Sequence, residues 1–297
     1  MNNDKKKLAL IGANGMLARM VRHVAPSIYD ITSFDLPDFD ITNRDLVLSA
    51  MMHLRPYVIV NCAAYTDVDR CETNEELALR VNGKGPGYLA EAALDTGATL
   101  VHISTDYVFA GDKTGPYSED DPTGPLSAYG RSKLEGETAI VASGLARYFI
   151  IRTSWLYGPG GKNFVETILR LAGEREELRI VADQQGSPTY TEDLANAVFS
   201  LLETEGARRP YGIYNFSNAG SCSWYEFAVE IVRLARSNKL PVKVERIIPI
   251  RTEDFPLPAK RPSSSIFSKQ KYETITGRTI PDWRESLIKY FAVRQTM

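Results

Sequence analysis

A chain of 297 residues, 43% hydrophobic and 24% charged, suits a large α/β domain with a smaller one attached. Its 35 Lys and Arg against 37 Asp and Glu leave a net charge of −2, so there is no overall basic field to hold nucleic acid. No apolar run reaches the roughly 18–20 residues of a membrane span. The early "LALIGA" is short and runs straight into glycine, unlike a signal peptide. Cys62, Cys71 and Cys222 are scattered, with no CxxC or Cys/His cluster, which supports neither a disulfide framework nor a metal site. The expectation is a cytoplasmic enzyme.

The elements follow a regular order. "KLALIG" (7–12) is a strand that stops at glycine, and apolar residues at Met16, Leu17, Met20, Val21 and Val24 give a helix. A second strand (29–35) ends in Asp35, and a helix over 45–54 is stopped by Pro56. "YVIVNCAA" (57–64) reads as a fully buried third strand. A long helix over 75–97 is irregular near Gly83–Gly87, and a fourth strand covers 99–105. A polar loop with Pro116, Pro122 and Pro125 leads to a helix over 128–142, then to a fifth strand over 148–158. A further helix and the strand 178–183 continue the alternation. Apolar strands alternating with helices predict a Rossmann-type, doubly wound parallel sheet covered on both faces. We place the dinucleotide-binding domain at 1–183 and a smaller α/β substrate lobe at 184–297, with later segments free to cross back.

"GANGMLA" puts Gly12 and Gly15 at the first strand–helix turn, with Ala18 where a third small residue belongs. Such a turn brings backbone close to a pyrophosphate and offers it a helix N-terminus. Asp35 lies roughly 20 residues on, where an acid would bond the adenosine ribose, with a cap as the alternative role. No Arg or Lys sits beside it, which favours NADH over NADPH. The small residues Cys62, Ala63 and Ala64 would clear space for a flat cofactor. Cys62 reads as apolar filler, because no neighbouring base would activate it.

The fourth strand ends in Ser104 and Thr105, at the sheet edge where ligands bind in such folds. Tyr129 and Lys133 then stand four apart on one helix face. An adjacent ammonium would lower the phenol's pKa and make Tyr129 a usable acid. Thr105 can hold the substrate oxygen, and Lys133 the nicotinamide ribose.

These stretches, with "VHISTDYVFAG", "AYGRSKLEGE", "IIRTSWLYGPGGKNFV", "VADQQGSPTYTEDLA", "AKRPSSS" and "PDWRESL", run in order through nearly the whole chain. Together they resemble the dTDP-4-dehydrorhamnose reductases of the extended short-chain dehydrogenase/reductase superfamily. The resemblance implies hydride transfer from NADH or NADPH to carbon 4 of dTDP-4-dehydro-L-rhamnose, with Tyr129 as proton donor. It implies Gly12, Asn14, Gly15 and Met16 at the pyrophosphate, Asp40 and Ile41 at the adenine, and Ala63, Ala64 and Tyr65 beside the ribose and nicotinamide. It assigns Asp106, Trp155, Gln184 and Arg261 to the sugar nucleotide. Arg261 is alternatively a surface arginine, and Trp155 a core residue. Dehydratases of this superfamily follow the strand-four Thr with Asp-Glu; here Asp106-Tyr107 follows, so elimination is disfavoured. Dimeric relatives hold magnesium through an acid of the first helix, which "MLARMVRHV" lacks, so no metal is expected, while a homodimer remains open. Two rival readings stand: a reductase of another 4-keto sugar nucleotide, and a non-catalytic dinucleotide-binding subunit resembling that of methionine adenosyltransferase.

Overall fold

The computed structural model describes residues 5–204 and 210–294. The first half alternates as expected: β1 (Lys6–Ile11), α1 (Met16–Val24), β2 (Tyr29–Phe34), α2 (Arg44–Leu54) and β3 (Val58–Asn61). Next come two short helices, α3 (Val68–Cys71) and α4 (Glu75–Ala78). A π turn at Leu79–Lys84 joins α4 to α5 (Gly85–Thr96) without a break, so the expected irregularity is a widened turn inside continuous helix. Then follow β4 (Thr99–Thr105), α6 (Ala128–Ala142) and β5 (Tyr148–Thr153).

The second half departs from the sequence reading in two places. The strand expected over 148–158 is broken: Trp155 takes φ +46°, and β6 (Leu156–Tyr157) leaves the sheet to pair with β9 (Thr189–Tyr190). A non-glycine residue in this region turns the chain sharply, which ends the ladder. After α7 (Phe164–Glu174), β7 (Glu177–Val181) does not extend the main sheet. It pairs with β12 (Arg246–Ile250) instead. The sixth strand of the main sheet is β10 (Gly212–Asn215), which pairs parallel with β5. The sheet order is β10-β5-β4-β3-β1-β2, with every pairing parallel.

Successive side chains of a strand point to opposite faces. Leu8, Leu10, Val58, Val60 and Val101 pack on one face with α1 and with α8 (Thr191–Glu203), through Leu17, Val21, Leu194 and Val198. Ala9, Ile11, Ile59 and Leu100 pack on the other with α2 and α5. A separate core gathers α7, α9 (Trp224–Ser237) and α11 (Trp283–Arg294) around Tyr157, Phe227 and Trp283. Smaller elements complete the chain: β8 (Gln185–Gly186) pairs with β11 (Cys222–Ser223), and α10 (Gln270–Thr276) lies against β10. The chain therefore crosses between the two cores on both sides of residues 183 and 184: α7 and β7 lie with the second, α8 and β10 with the first.

Candidate active site

The turn after β1 shows why glycine is needed. Gly12 has φ +73°, and a Cβ there would stand 2.7 Å from the Ala63 backbone. Gly15 is the N-cap of α1 and no side chain caps that helix, so its first N–H groups are available to an anion. With the clearance at Ala63 and the cavity below, these residues fit a dinucleotide. Asp35 ties this turn together: its Oδ2 accepts from the Asn14 N–H (2.7 Å) and its Oδ1 from the Leu36 N–H (2.7 Å). Asp40 accepts from the Thr42 N–H (2.8 Å), and buried Ile41 packs against Gly85. The Tyr65 backbone is held at both its N–H and its carbonyl by the buried Asn82 amide.

A cavity of about 580 Å³ opens at the carboxyl edge of β4. Gly15, Met16 and Ala64 line it on one side, and Thr105, Asp106, Tyr129, Lys133 and Trp155 on the other. Three devices build the second wall. Ser127 caps α6 by accepting from the Gly130 N–H (3.1 Å). Gly130 lets α6 come against the Tyr107 carbonyl, where no Cβ would fit. The helical offset of four then places Tyr129 and Lys133 on the face towards β4.

Thr105 Oγ1 donates to Asp106 Oδ1 (3.1 Å) and lines the cavity with Tyr129. Asp106 is buried, and its Oδ2 has no hydrogen-bond partner. Burial raises its pKa to about 6, against the pull of the Ser265 and Thr105 hydroxyls. Burial also pushes the Tyr129 phenol up; the Thr105 hydroxyl acts downward, while Asp106 and Cys71 push it further up. Lys133 Nζ donates to the Ile103 carbonyl (2.7 Å) and stands 3.2 Å from His102 Nε2. Burial lowers Lys133 to about 8, while Glu137 and Cys62 act upward. Cys62 itself is raised to about 12 by burial, as expected of filler. Behind this wall Arg152 and Glu137 form a buried ion pair (2.7 Å), and Ser104 Oγ donates to the same carboxylate (2.5 Å).

Two of the residues assigned to a sugar nucleotide lie elsewhere. Gln184 and Arg261 line a neighbouring apolar cleft of about 840 Å³, together with Phe164, Trp224, Phe255 and Leu257. Gln184 Nε2 donates to Thr252 Oγ1 (3.0 Å). Arg261 is held by Asp69 through both guanidinium ends (3.2 and 2.9 Å). Trp155 joins the two spaces: it lines the cavity and stacks on Trp224 at 3.5 Å and 10°. Gly186 leaves room for its ring, since a Cβ there would come within 2.5 Å of it. Sequence reasoning missed Trp224, Asp69, Asn61 and His102. Only Trp224 carried a local signal, an aromatic at the start of a helix capped by Ser223. Among the described residues no cluster of three or more His, Cys, Asp or Glu is placed to hold a metal ion, and no helix is long and apolar enough to cross a membrane.

Residues 6–295 match the family model described as the RmlD substrate binding domain. A dTDP-4-dehydrorhamnose reductase of Aggregatibacter actinomycetemcomitans is 41% identical over 95% of this chain and 97% of its own. A probable dTDP-4,6-dihydroxy-2-methyloxan-3-one 4-ketoreductase of Streptomyces antibioticus is 39% identical over 95% of this chain and 93% of its own. The crystal structure of a dTDP-4-dehydrorhamnose reductase from Bacillus anthracis in complex with NADP superposes with a TM-score of 0.91, at 42% identity, covering 97% of this chain and 99% of that one. With the glycine turn, Thr105, Tyr129 and Lys133 set in one cavity of a sheet matched end to end, the chain belongs to the dTDP-4-dehydrorhamnose reductase family.

Proposed function

We propose that this protein reduces the 4-keto group of dTDP-4-dehydro-L-rhamnose to give dTDP-L-rhamnose, using NADH or NADPH. The observation that carries the reading is that Thr105, Tyr129 and Lys133 line one cavity together with Gly15 and Met16 of the glycine turn. The dinucleotide would supply the hydride to carbon 4. Thr105 holds the carbonyl oxygen, and Tyr129 gives its proton to that oxygen as it becomes an alkoxide. An alkoxide is a far stronger base than a phenolate, so a phenol whose pKa is raised still transfers its proton. It also keeps that proton until the alkoxide forms. The tyrosine then recovers a proton from solvent. Lys133 holds ribose hydroxyls, and Gly12, Asn14, Gly15 and Met16 the pyrophosphate. Asp35, Asp40, Ile41, Ala63, Ala64 and Tyr65 complete the adenosine and nicotinamide ends. Asp106, Trp155, Gln184 and Arg261 bind the sugar nucleotide, with Arg261 exchanging Asp69 for a phosphate. Arginine's fork of donors suits either partner.

The test is oxidation of NADH and of NADPH by purified protein with dTDP-4-dehydro-L-rhamnose and with other 4-keto sugar nucleotides. Turnover fastest on the rhamnose precursor is expected. Faster turnover of another substrate would shift the reading to that sugar, which the Streptomyces antibioticus relative favours. Dinucleotide binding without turnover on any of them would leave a non-catalytic binding subunit. The same proposal carries a cytoplasmic location and a homodimer, the latter checked by sedimentation.

A further inference from the structure

Behind the cavity wall lies a polar chain of which the reductase reading uses only Lys133. Asn61 ends β3, His102 sits opposite it on β4, and Lys133 reaches them from α6. All three are buried. Their hydrogen bonds can be assigned from one fixed point, the Ala63 backbone N–H, which can only donate. It faces an Asn61 side-chain atom at 3.0 Å, so that atom is the carbonyl Oδ1. The other end of the amide, the Nδ2 donor, therefore faces His102 Nδ1 at 3.0 Å. Nδ1 must accept, and in a neutral ring the proton then lies on Nε2. Nε2 stands 3.2 Å from Lys133 Nζ, whose own donation goes to the Ile103 carbonyl at 2.7 Å. An ammonium has three donors and no acceptor, whereas an amine can accept the Nε2–H.

We propose that Asn61 and His102 are positioning residues for Lys133: they aim an Nε2–H at its Nζ and so make the uncharged amine, rather than the ammonium, the form this network accommodates before dinucleotide binds.

The surroundings agree. Burial holds His102 well below its ordinary value, which keeps the ring neutral, and it lowers Lys133 to about 8, so that the amine is the majority form above about that pH. Glu137, one turn further along α6, is the nearest anion acting on Lys133, but its carboxylate is bound by Arg152 and Ser104. From the end of β3, Cys62 stays a thiol. Tyr129, on α6 itself, stays a phenol. The charge of Lys133 is thus set by its neighbours rather than permanent. The ammonium becomes the favoured form once ligand oxygens offer it acceptors, so binding of dinucleotide would take up a proton at alkaline pH.

Ring-¹⁵N histidine NMR of the wild-type protein tests the assignment directly, without any ligand. The chain has 3 histidines, and His23 and His53 are exposed, so slow exchange of its N–H with water marks the buried ring. A bare Nδ1 and a protonated Nε2 on His102 at about pH 7 and about pH 9 are expected; a protonated Nδ1 at both overturns the proposal. The second arm measures NADH affinity against pH, and it rests on the reductase reading. Affinity should fall by about tenfold per pH unit above the point where free Lys133 loses its proton. Asn61→Asp would accept from both the Ala63 N–H and an Nδ1–H, invert the tautomer and move that point up by about one pH unit or more. An unmoved break in a folded Asn61→Asp protein also overturns the proposal. If that variant does not fold, the wild-type ring measurement decides alone. Failure to bind either NADH or NADPH at any pH would instead sink the reductase reading, and the ring measurement would still stand.

Discussion

In the cavity at the edge of β4, each polar group is delivered by a strand end or a helix face, and its backbone is pinned. Thr105 closes β4, Ser127 caps the helix that carries Tyr129, and the Arg152–Glu137 pair ties that helix to β5. The neighbouring cleft is made differently. Its walls are α7 and β7 with Trp224 at the start of α9, and its mouth is the 251–261 segment, where Phe255 and Leu257 are exposed. There the polar groups, Gln184 and Arg261, already have protein partners that a ligand must replace or share. On the proposed reading the difference separates two tasks. Chemistry needs groups fixed before the substrate arrives, whereas recognition tolerates exchange of one hydrogen-bond partner for another.

The strongest attempt to break this contrast is Tyr129→Phe. Turnover should fall by roughly 10²–10⁴-fold, the usual worth of a general acid, while dinucleotide affinity measured by fluorescence titration stays level. Near wild-type rates would remove the proton donor from the cavity. Next is Glu137→Ala, which leaves Arg152 charged and unpaired where both partners are about 3% exposed. Urea unfolding should show a loss of about 3–5 kcal/mol. An effect below about 1 kcal/mol would mean that the pair does not pin the helix.

Asp106→Asn probes the one unsatisfied carboxylate in the cavity. The folded pKa of Asp106 is raised to about 6, above the ordinary value of 3.8. The folded state therefore holds the proton more tightly, and its advantage is present below the unfolded pKa and lost as pH rises through about 6. Neutral Asn should stabilise the protein above that pH, by about 1–3 kcal/mol, and bring no gain near pH 4. Melting curves at the two pH values check this; equal shifts at both would refute it. The smallest effect is expected in the cleft. Arg261→Ala should raise KM for the sugar nucleotide by about tenfold and leave kcat within about twofold. A loss of kcat matching that of Tyr129→Phe would erase the distinction between the two regions.

Much of the cavity could be read from the chain because its signals are local. The glycine turn lies within four residues, Tyr129 and Lys133 within one helical turn, and Thr105 at a strand end. The cleft could be read only by resemblance. Arg261 meets Asp69 across 192 residues, and Trp155 meets Trp224 from separate elements, pairings that no periodicity encodes. The same limit produced the misplaced strand over 178–183. "LRIV" is as strand-like as the others, and only its neighbours decide that it pairs with Arg246–Ile250 and leaves the sheet edge to Gly212–Asn215.

By itself the sequence determined the alternation of buried strands and helices, the dinucleotide turn and the tyrosine–lysine face, since each follows from short-range sterics and a repeat of 2 or 3.6 residues. Tertiary structure alone decided where Lys133 points. The helix offers it to the cavity, and there the Ile103 carbonyl and His102 hold its Nζ, while an amide on the neighbouring strand faces the other nitrogen of that histidine. Protonation states depend on burial and on which partner faces which atom, and both exist only once the chain has folded.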